Sequence, residues 1–566
     1  MKLMSTKIKY LAVLIPVLGC FLYFRCMTPY HICFKEQIQL FVYSWSYILS
    51  YFSKPAVFAC LGGDFLTQFL YFKGGGAAVV TLLLVVEWWL VFLVFKRFSV
   101  KRYALLWSLL PVIVEWILFS QFSFSLAMAV SFVIVLATFI LYAKNDGKRS
   151  VVTGVILIPL LYMVAGASVF LFIILAVLYD IHCRRKRYVF WAVMLALSLV
   201  IPFLVRHGYL LTLKQAYFYP YPDVKHALSL VTLASVVLLF VCFKRLRGQN
   251  SGILYFAVSI ALLGSVLIAG LVKTTDMKNE HLFGIMVESY HKNWDQVLEI
   301  AEKADLQNPV ATCYTNIALS QKSLLGERFM DFYQPFSSGL VPVAYNKQWL
   351  ALFTVNDAYF HIGAMDMAQH GALLGMVASP KQRSARMLER LVEINMAIDD
   401  MPATDKYKRM LESTLFHKVK PDMLKNIPRQ GIFREDLIHK SSDVKTLLEL
   451  LVESDPDNIP AVNYLLCFHL LNKNIPAFFK TYTSYFKGKY ESVPKNYAEA
   501  LLIYFAATNS TMKEVAEYGI HSEIIKSFRE YTQLYEDTEG ILNPVQEKFP
   551  NTYWLFYHFA VVKNEE

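Results

Sequence analysis

Long apolar segments alternate with short basic ones through the first half of the chain, and this pattern predicts a membrane domain built from several helices. A helix needs about 20 apolar residues to cross a bilayer. Segments of about that length run over 8–26, 77–95, 103–120, 124–143, 188–205, 227–243 and 251–272. The fold class expected for residues 1–275 is therefore an all-α, polytopic transmembrane bundle.

The loops between these segments indicate the orientation. Clusters of Lys and Arg mark cytoplasmic loops under the positive-inside rule, which also places the basic N-terminus in the cytoplasm. These clusters lie at 96–102, 144–149, 184–187 and 244–247. Following the same parity, residues 276–566 lie outside, which is the periplasm if the membrane is a bacterial inner membrane.

The stretch 151–180 constrains this topology further, because basic loops flank it on both sides. The chain must cross an even number of times within about 30 residues, too few for two full crossings of a 30 Å core. We therefore expect a break near Ala165, Gly166, Ala167 and Ser168, with two short helices or a re-entrant hairpin. The predicted total is about nine spans.

Two external segments are long enough to hold a site. Residues 27–76 mix aromatic and polar side chains, and apolar positions at helical spacing in 38–45 predict one or two amphipathic helices on the outer membrane surface. A structural plug over the bundle is the alternative. Residues 206–223 carry basic side chains and an aromatic run at 217–221.

The second half, 276–566, has the pattern of helix, short turn and helix, with almost no strand signal. Helices are expected at 294–304, from Pro309, and at 443–454, 461–471 and 475–485. The turn at 455–458 resembles the Asp-Pro-x-Asn turn of tetratricopeptide repeats. That resemblance implies an irregular α-solenoid, which binds a peptide or protein or acts as a rigid cap.

Charge separates the two halves. Residues 1–275 contain 25 Lys and Arg against 7 Asp and Glu, whereas 276–566 contain 30 against 37. The basic pI thus reflects membrane-flanking loops rather than nucleic-acid binding. Cys313 and Cys467 are the cysteines of the second half, and two small buried residues are favoured over a single bridge between them.

No nucleotide-binding, zinc-protease or serine-hydrolase motif occurs in a fitting context. Attention therefore falls on ionisable residues in or near the membrane. Glu87 and Glu115 each precede a tryptophan within a predicted span, and ionisable residues inside a bilayer are commonly functional. Proton relay or ion coupling is one interpretation, and a neutral, hydrogen-bonded core acid is the other.

A first span followed by a long helical external segment with an acid, Glu36, resembles the plan of the GT-C glycosyltransferases, over about residues 1–275. These multi-pass enzymes take sugars from polyprenyl-phosphate donors. The resemblance implies that Glu36 is the general base toward the acceptor hydroxyl and that Asp64 is a second acid. Arg206, His207 and Lys214 would bind the lipid phosphate. The sequence departs from the family at Glu36, where an acidic pair is usual.

The whole chain also resembles a bacterial family of multi-pass membrane proteins with no assigned function. The stretches 36–41 and 65–69 carry that resemblance. The leading hypothesis is sugar transfer from a polyprenyl-phosphate-linked donor at the outer face of the inner membrane. The main rival is a membrane-anchored scaffold whose repeat domain recruits envelope proteins, and a transporter comes third.

Overall fold

The computed structural model describes residues 6–72, 74–101, 104–145, 147–243, 253–342, 350–419, 443–489 and 492–561, and all regular structure within them is helical. The chain forms two compact units. The first comprises Met1–Met277 with Ser413–Phe416, and the second comprises Lys278–Glu412 with His417–Glu566. The predicted basic loop at 244–247 lies outside the described residues.

The first unit, here called the membrane unit, is a bundle of apolar helices around one continuous core of buried aliphatic and aromatic side chains. In chain order the helices are α1 (Thr6–Leu22), α2 (Tyr30–Gln37), α3 (Trp45–Ser50), α4 (Val57–Thr67), α5 (Gly75–Arg97), α6 (Ala104–Trp107), α7 (Leu109–Phe119), α8 (Leu126–Tyr142), α9 (Gly147–Ala165), α10 (Val169–His182), α11 (Tyr188–Tyr209), α12 (Leu213–Phe218), α13 (Leu228–Cys242) and α14 (Ile253–Thr274).

The membrane character of this unit follows from helix length and composition. Five helical segments among the described residues are long and apolar enough to cross a bilayer: Gly75–Arg97, Gly147–His182, Tyr188–Tyr209, Val224–Cys242 and Tyr255–Thr274. A sixth is added if Val13–Met27 and Tyr30–Gln37, which meet at a 70° bend, form one broken span. The chain is therefore an all-α protein with several candidate membrane helices.

The segment Gly147–His182 is a hairpin, because its two ends meet. A short 3-10 turn, Gly166–Ser168, separates α9 from α10. Just beyond α10, the Arg187 guanidinium donates to the Gly147 carbonyl at 3.1 Å and to Ser150 Oγ at 2.5 Å. A straight helix of 36 residues would hold these residues about 50 Å apart. The predicted break at 165–168 is thus present.

The first external segment differs from its sequence pattern in one place. The apolar positions predicted to form a helix through 38–45 instead lie on an irregular stretch between α2 and α3. Ile38, Leu40, Phe41 and Val42 are all buried there. The prediction of a helix here was wrong, because consecutive side chains of this stretch are buried inside the unit rather than on one face of a surface helix.

Helix α4 is held close to α8 at a glycine. A Cβ added to Gly63 would lie 2.4 Å from the Ala127 backbone nitrogen, so only glycine permits this distance. The contact fixes the rotation and depth of α4, and with it the direction of the neighbouring Asp64.

The second unit is built from helices joined by short turns, and we call it the soluble unit after the sequence prediction for residues 276–566. The helices are Met277–Tyr290, Trp294–Ala304, Pro309–Gln321, Leu325–Arg328, Leu350–His361, Met365–Ala378, Ala385–Ala397, Met401–Glu412, Val444–Ser454, Ile459–Leu471, Ile475–Thr481, Lys495–Ala507, Met512–Ala516, Ser522–Asp537, Leu542–Lys548 and Tyr553–Phe559. Asn308, Asp443, Asn458 and Asn474 cap helix N-termini through their side chains, as expected for these residue types.

The predicted helices of this unit are found close to their expected bounds. Cys313 and Cys467 are both free and buried, as the sequence favoured. The likeness to tetratricopeptide repeats and the solenoid arrangement stay predictions.

Candidate functional site

Glu36 lies in the last turn of α2 and is only 4% exposed. The helix is attached to the connection between α7 and α8: Lys35 donates to the Phe124 carbonyl at 2.7 Å, and the His31 ring lies 3.1 Å from the Phe119 carbonyl oxygen. A general base must come within hydrogen-bond distance of its substrate. The burial of Glu36 therefore disfavours it as the group that meets an acceptor from outside.

Asp64 is half-buried and belongs to a cluster of tyrosines. The Tyr51 hydroxyl lies 2.6 Å from Asp64 Oδ2 and 2.9 Å from the Tyr47 hydroxyl. Because a hydroxyl has a single proton, Tyr51 donates it to the carboxylate, the stronger and closer acceptor. Tyr47 and Tyr51 are four residues apart, so one helical turn places both rings on one side.

The second external loop joins this cluster through Tyr219. Cys60 and Asp64 share one face of α4, and Cys60 Sγ lies 3.4 Å from the Tyr219 hydroxyl. Tyr219 also lies close enough to Asp64 for the two to interact electrostatically. We call Tyr47, Tyr51, Cys60, Asp64 and Tyr219 the outer polar cluster, after the side of the membrane that the sequence predicts for them.

Burial and charge act together on the two tyrosines of the cluster. Burial, followed by the neighbouring Asp64 carboxylate, raises the pKa of Tyr51. Burial also raises the pKa of Tyr219, with Cys60 and Asp64 adding to the effect. Both hydroxyls therefore stay protonated, and the Tyr51 hydroxyl donates to Asp64.

The 165–168 break positions Tyr219. Gly166 has φ +65°, and a Cβ there would lie 2.2 Å from the Tyr219 carbonyl oxygen. That oxygen accepts a hydrogen bond of 2.8 Å from the Ala167 amide, while Tyr162 donates to the Ala216 carbonyl at 2.8 Å. The turn between α9 and α10 thus holds the second external loop in position.

The other side of the same loop lines an apolar cavity of about 400 Å³. Its walls come from α10, α13 and the aromatic side chains Tyr217, Phe218 and Tyr221. A polar cluster and an apolar cavity are therefore contiguous through residues 217–221. A second apolar cavity, of about 390 Å³, lies between α1, α5, α7 and α14.

The predicted phosphate-binding residues lie at the C-terminal end of α11 and on α12. Arg206 is half-buried and His207 exposed, and both lie against the Phe203 ring, at 5.2 Å and 5.6 Å from its centroid. Lys214 is exposed and pairs with Asp223 at 3.1 Å. The pairing with Lys214 holds the pKa of Asp223 below its usual range. Such an exposed pair is weak enough for an anion to displace.

Glu87 and Glu115 lie inside the bundle, on α5 and α7, with exposures of 0% and 1%. Both acids are surrounded by apolar core side chains, unlike the polar side chains of the outer polar cluster. Among the described residues, no group of three or more His, Cys, Asp or Glu side chains is arranged to hold a metal ion.

Sequence reasoning selected Asp64 but missed the residues that organise it, namely Tyr47, Tyr51 and Cys60. The spacing of four between Tyr47 and Tyr51, and again between Cys60 and Asp64, was the available signal. The role of Tyr219 depends on a contact between segments about 160 residues apart, which no local pattern reveals.

These features define an all-α protein with several candidate membrane helices and a polar cluster in the first unit, followed by a largely helical second unit. The chain belongs to the family described as "Family of unknown function (DUF6057)", whose model matches residues 4–560. No curated protein matches the chain. No solved structure matches it either.

Proposed function

We propose that the protein transfers a sugar from a polyprenyl-phosphate-linked donor at the outer face of a bacterial inner membrane, as a GT-C-like enzyme. The observation that supports this proposal is the loop 217–221, which meets the outer polar cluster on one side and an apolar cavity on the other. A lipid-linked sugar has the same two parts, a polar head and an apolar chain.

The topology that goes with this proposal has about nine spans, formed by α1, α5, α7, α8, α9, α10, α11, α13 and α14. The N-terminus is cytoplasmic, and the soluble unit is periplasmic. The basic loops on one side and the antiparallel α9–α10 hairpin support this arrangement.

Asp64 is the general base of the proposed reaction. It accepts the proton of the acceptor hydroxyl as that oxygen attacks the anomeric carbon and the polyprenyl phosphate leaves. Tyr51 orients the carboxylate through its hydrogen bond to Oδ2. Asp64 is half-buried whereas Glu36 is 4% exposed, so we assign the role to Asp64.

Arg206, His207 and Lys214 bind the leaving phosphate in this proposal. Arg206 and His207 flank Phe203, and Lys214 exchanges its exposed Asp223 partner for the phosphate. Cationic donors are needed because the departing group carries two negative charges at the membrane surface.

The test compares Asp64→Asn with Glu36→Gln in a strain that lacks the protein. Loss of a general base lowers a rate by about 10²–10⁴-fold, so Asp64→Asn should fail to complement and should accumulate the lipid-linked donor in extracts. Glu36→Gln should complement. A fully active Asp64→Asn variant, present at wild-type level, would contradict the proposal.

The scaffold function is supported by a different observation, on the soluble unit. Leu373, Leu374 and Val377 lie on one face of Met365–Ala378, with Val377 65% exposed. An exposed apolar strip is typical of a protein-binding surface. Val377→Asp in the full chain should abolish cross-linking to an envelope partner without lowering expression, and an unchanged cross-linking pattern would contradict this function.

A further inference from the structure

Buried polar atoms without hydrogen-bond partners gather in one region of the membrane unit. Among the described residues, no hydrogen bond is made by either carboxylate oxygen of Glu87, by Oε2 of Glu115, by Oγ of Ser229 or by Nδ1 of His226. All four side chains are more than nine-tenths buried. Buried polar atoms are nearly always paired in proteins, so such a concentration needs an explanation.

The four residues follow one another from the outer end of the bundle inward. His226 lies just before α13, where its Nε2 is 2.9 Å from Ser123 Oγ in the connection between α7 and α8. Ser229 is one turn further along and faces Glu115, four residues from the end of α7. Glu115 in turn lies within electrostatic range of Glu87, near the middle of α5.

The two acids occupy matching sequences on neighbouring helices. Val86-Glu87-Trp88 and Val114-Glu115-Trp116 place an indole beside each carboxyl. Both indoles line the apolar cavity between α1, α5, α7 and α14, which leaves the carboxyls on the side toward α13. Among the described residues, Tyr221 also faces both acids, and its hydroxyl is already bonded to Ser168 and to the Met128 carbonyl.

An ionised carboxylate without a partner is costly in the apolar interior of the bundle. The carboxyl groups of Glu87 and Glu115 therefore need a bound cation. Asp180, also 0% exposed in this unit, shows the alternative, since Arg185 and Arg187 lie 3.7 Å and 3.8 Å from its carboxylate. No basic side chain among the described residues is paired with Glu87 or Glu115. The smallest cation, a proton, fits a site lined by a hydroxyl and an imidazole.

We propose that His226, Ser229, Glu115 and Glu87 form a proton inlet from the outer face to the middle of the bundle. A proton that reaches His226 Nε2 beside the exposed Ser123 lets Nδ1 release a proton to the Ser229 hydroxyl. That hydroxyl releases its own proton to Glu115, and Glu115 passes one to Glu87. Each transfer breaks one O–H or N–H bond and forms another. The inlet does not depend on the sugar-transfer proposal.

The experiment follows carboxyl protons by infrared difference spectroscopy on the full chain in lipid nanodiscs, after a switch from H₂O to D₂O. Glu87→Gln and Glu115→Gln should each remove one exchanging carboxyl band. Ser229→Val, which fills the inlet with an apolar group, should slow exchange at both bands by about tenfold or more. Replacing Na⁺ by choline should leave the bands unchanged.

The matched control is Tyr142→Phe, because Tyr142 also carries a buried hydroxyl without a partner in this unit but lies at the end of α8, near Asp180. It should leave the exchange rates unchanged, and all variants should show wild-type thermal unfolding. The proposal is overturned if the wild-type bands exchange only on global unfolding, if Ser229→Val exchanges at the wild-type rate, or if Na⁺ shifts the bands.

Discussion

The buried acids in the middle of the two units have opposite surroundings. In the soluble unit Asp357, 2% exposed, binds Arg386 at 2.5 Å and Arg390 at 2.8 Å, and it accepts a further hydrogen bond from Tyr314. In the middle of the membrane unit, Glu87 and Glu115 have no such partners among the described residues. The Asp357 ion pairs stabilise the fold of the soluble unit. Glu87 and Glu115 make no comparable contact that would stabilise the fold of the membrane unit.

The units also differ in what fixes their geometry. The soluble unit uses capped helices and ion pairs, including Lys292 with Glu393 at 3.2 Å. The membrane unit instead uses close backbone contacts at glycines, such as Gly63 against Ala127 and Gly166 against Tyr219. In lipid, ion pairs are costly to bury and tight packing is the main attraction between helices, so this is the contrast expected between a unit in lipid and a unit in water.

Breaking the paired charge should have the largest effect. Asp357→Asn leaves two buried guanidinium groups without their carboxylate, and removing one partner of a buried ion pair costs about 3–5 kcal/mol. We expect a large fall in the thermal unfolding temperature of the soluble unit, measured on the full chain in detergent by near-UV circular dichroism.

The control for Asp357→Asn is Lys303→Ala, which removes an exposed ion pair with Glu299. Exposed pairs contribute little to stability, so the unfolding temperature should stay close to that of the wild type. Equal losses in the two variants would contradict the view that the buried network stabilises this unit.

A second prediction concerns pH and the buried Glu499 of the soluble unit. Its carboxylate accepts from the Tyr553 amide at 2.5 Å, yet burial raises its pKa to about 7. A raised folded pKa gives stability that is fully present below the unfolded value, near 4.5, and is lost as pH rises toward 7. The wild type should therefore lose roughly 2–3 kcal/mol relative to Glu499→Gln across that window.

The measurement is the difference in unfolding temperature between wild type and Glu499→Gln, taken from about pH 4 to about pH 8 so that it covers the titration of Glu499. Taking the difference cancels His361 and His469, whose pKa values burial lowers to about 3 and about 4 and whose effects run the opposite way. A difference that does not change with pH would show that Glu499 titrates alike in both states.

A third prediction separates backbone strain from close contact in the membrane unit. Gly166→Ala combines a φ of +65° with a Cβ 2.2 Å from the Tyr219 carbonyl oxygen. Gly147→Ala, at the start of the same hairpin, has a φ of +62° and no atom within 4 Å. Gly147→Ala should cost about 1 kcal/mol from the left-handed backbone alone, and Gly166→Ala about 1–3 kcal/mol more from the clash.

Two quantities are measured: the thermal unfolding temperature and the rate at which the Cys60 thiol is alkylated. Displacement of Tyr219 would expose the Cys60 thiol, because the two are in contact. Gly166→Ala should speed alkylation of Cys60, and Gly147→Ala should not. The same rate in both variants would mean that the turn does not hold the second external loop.

Sequence patterns predicted the elements of the fold better than the organisation of the site. Apolar length, basic loops and helix caps are local, and they located the 165–168 break and the helix Trp294–Ala304. They failed at 38–44, where helical spacing of apolar residues came from burial of an irregular stretch. The contact of Tyr219 with the cluster around Asp64 depends on two segments that are far apart in the chain. The burial of Glu36 likewise depends on packing of α2 against the connection between α7 and α8.

The smallest effect on stability should come from Glu87→Gln, the counterpart of Asp357→Asn in the membrane unit. The amide has nearly the shape of the carboxyl, and the change removes no hydrogen bond or ion pair found among the described residues. We expect an unfolding temperature equal to or slightly above that of the wild type, corresponding to less than about 1 kcal/mol, in the same detergent assay. A loss as large as that of Asp357→Asn would mean that Glu87 stabilises the bundle as a charged group, which would remove the contrast between the units. A stable variant that fails to complement would instead show that the bundle retains an unpaired acid for its activity and not for its fold.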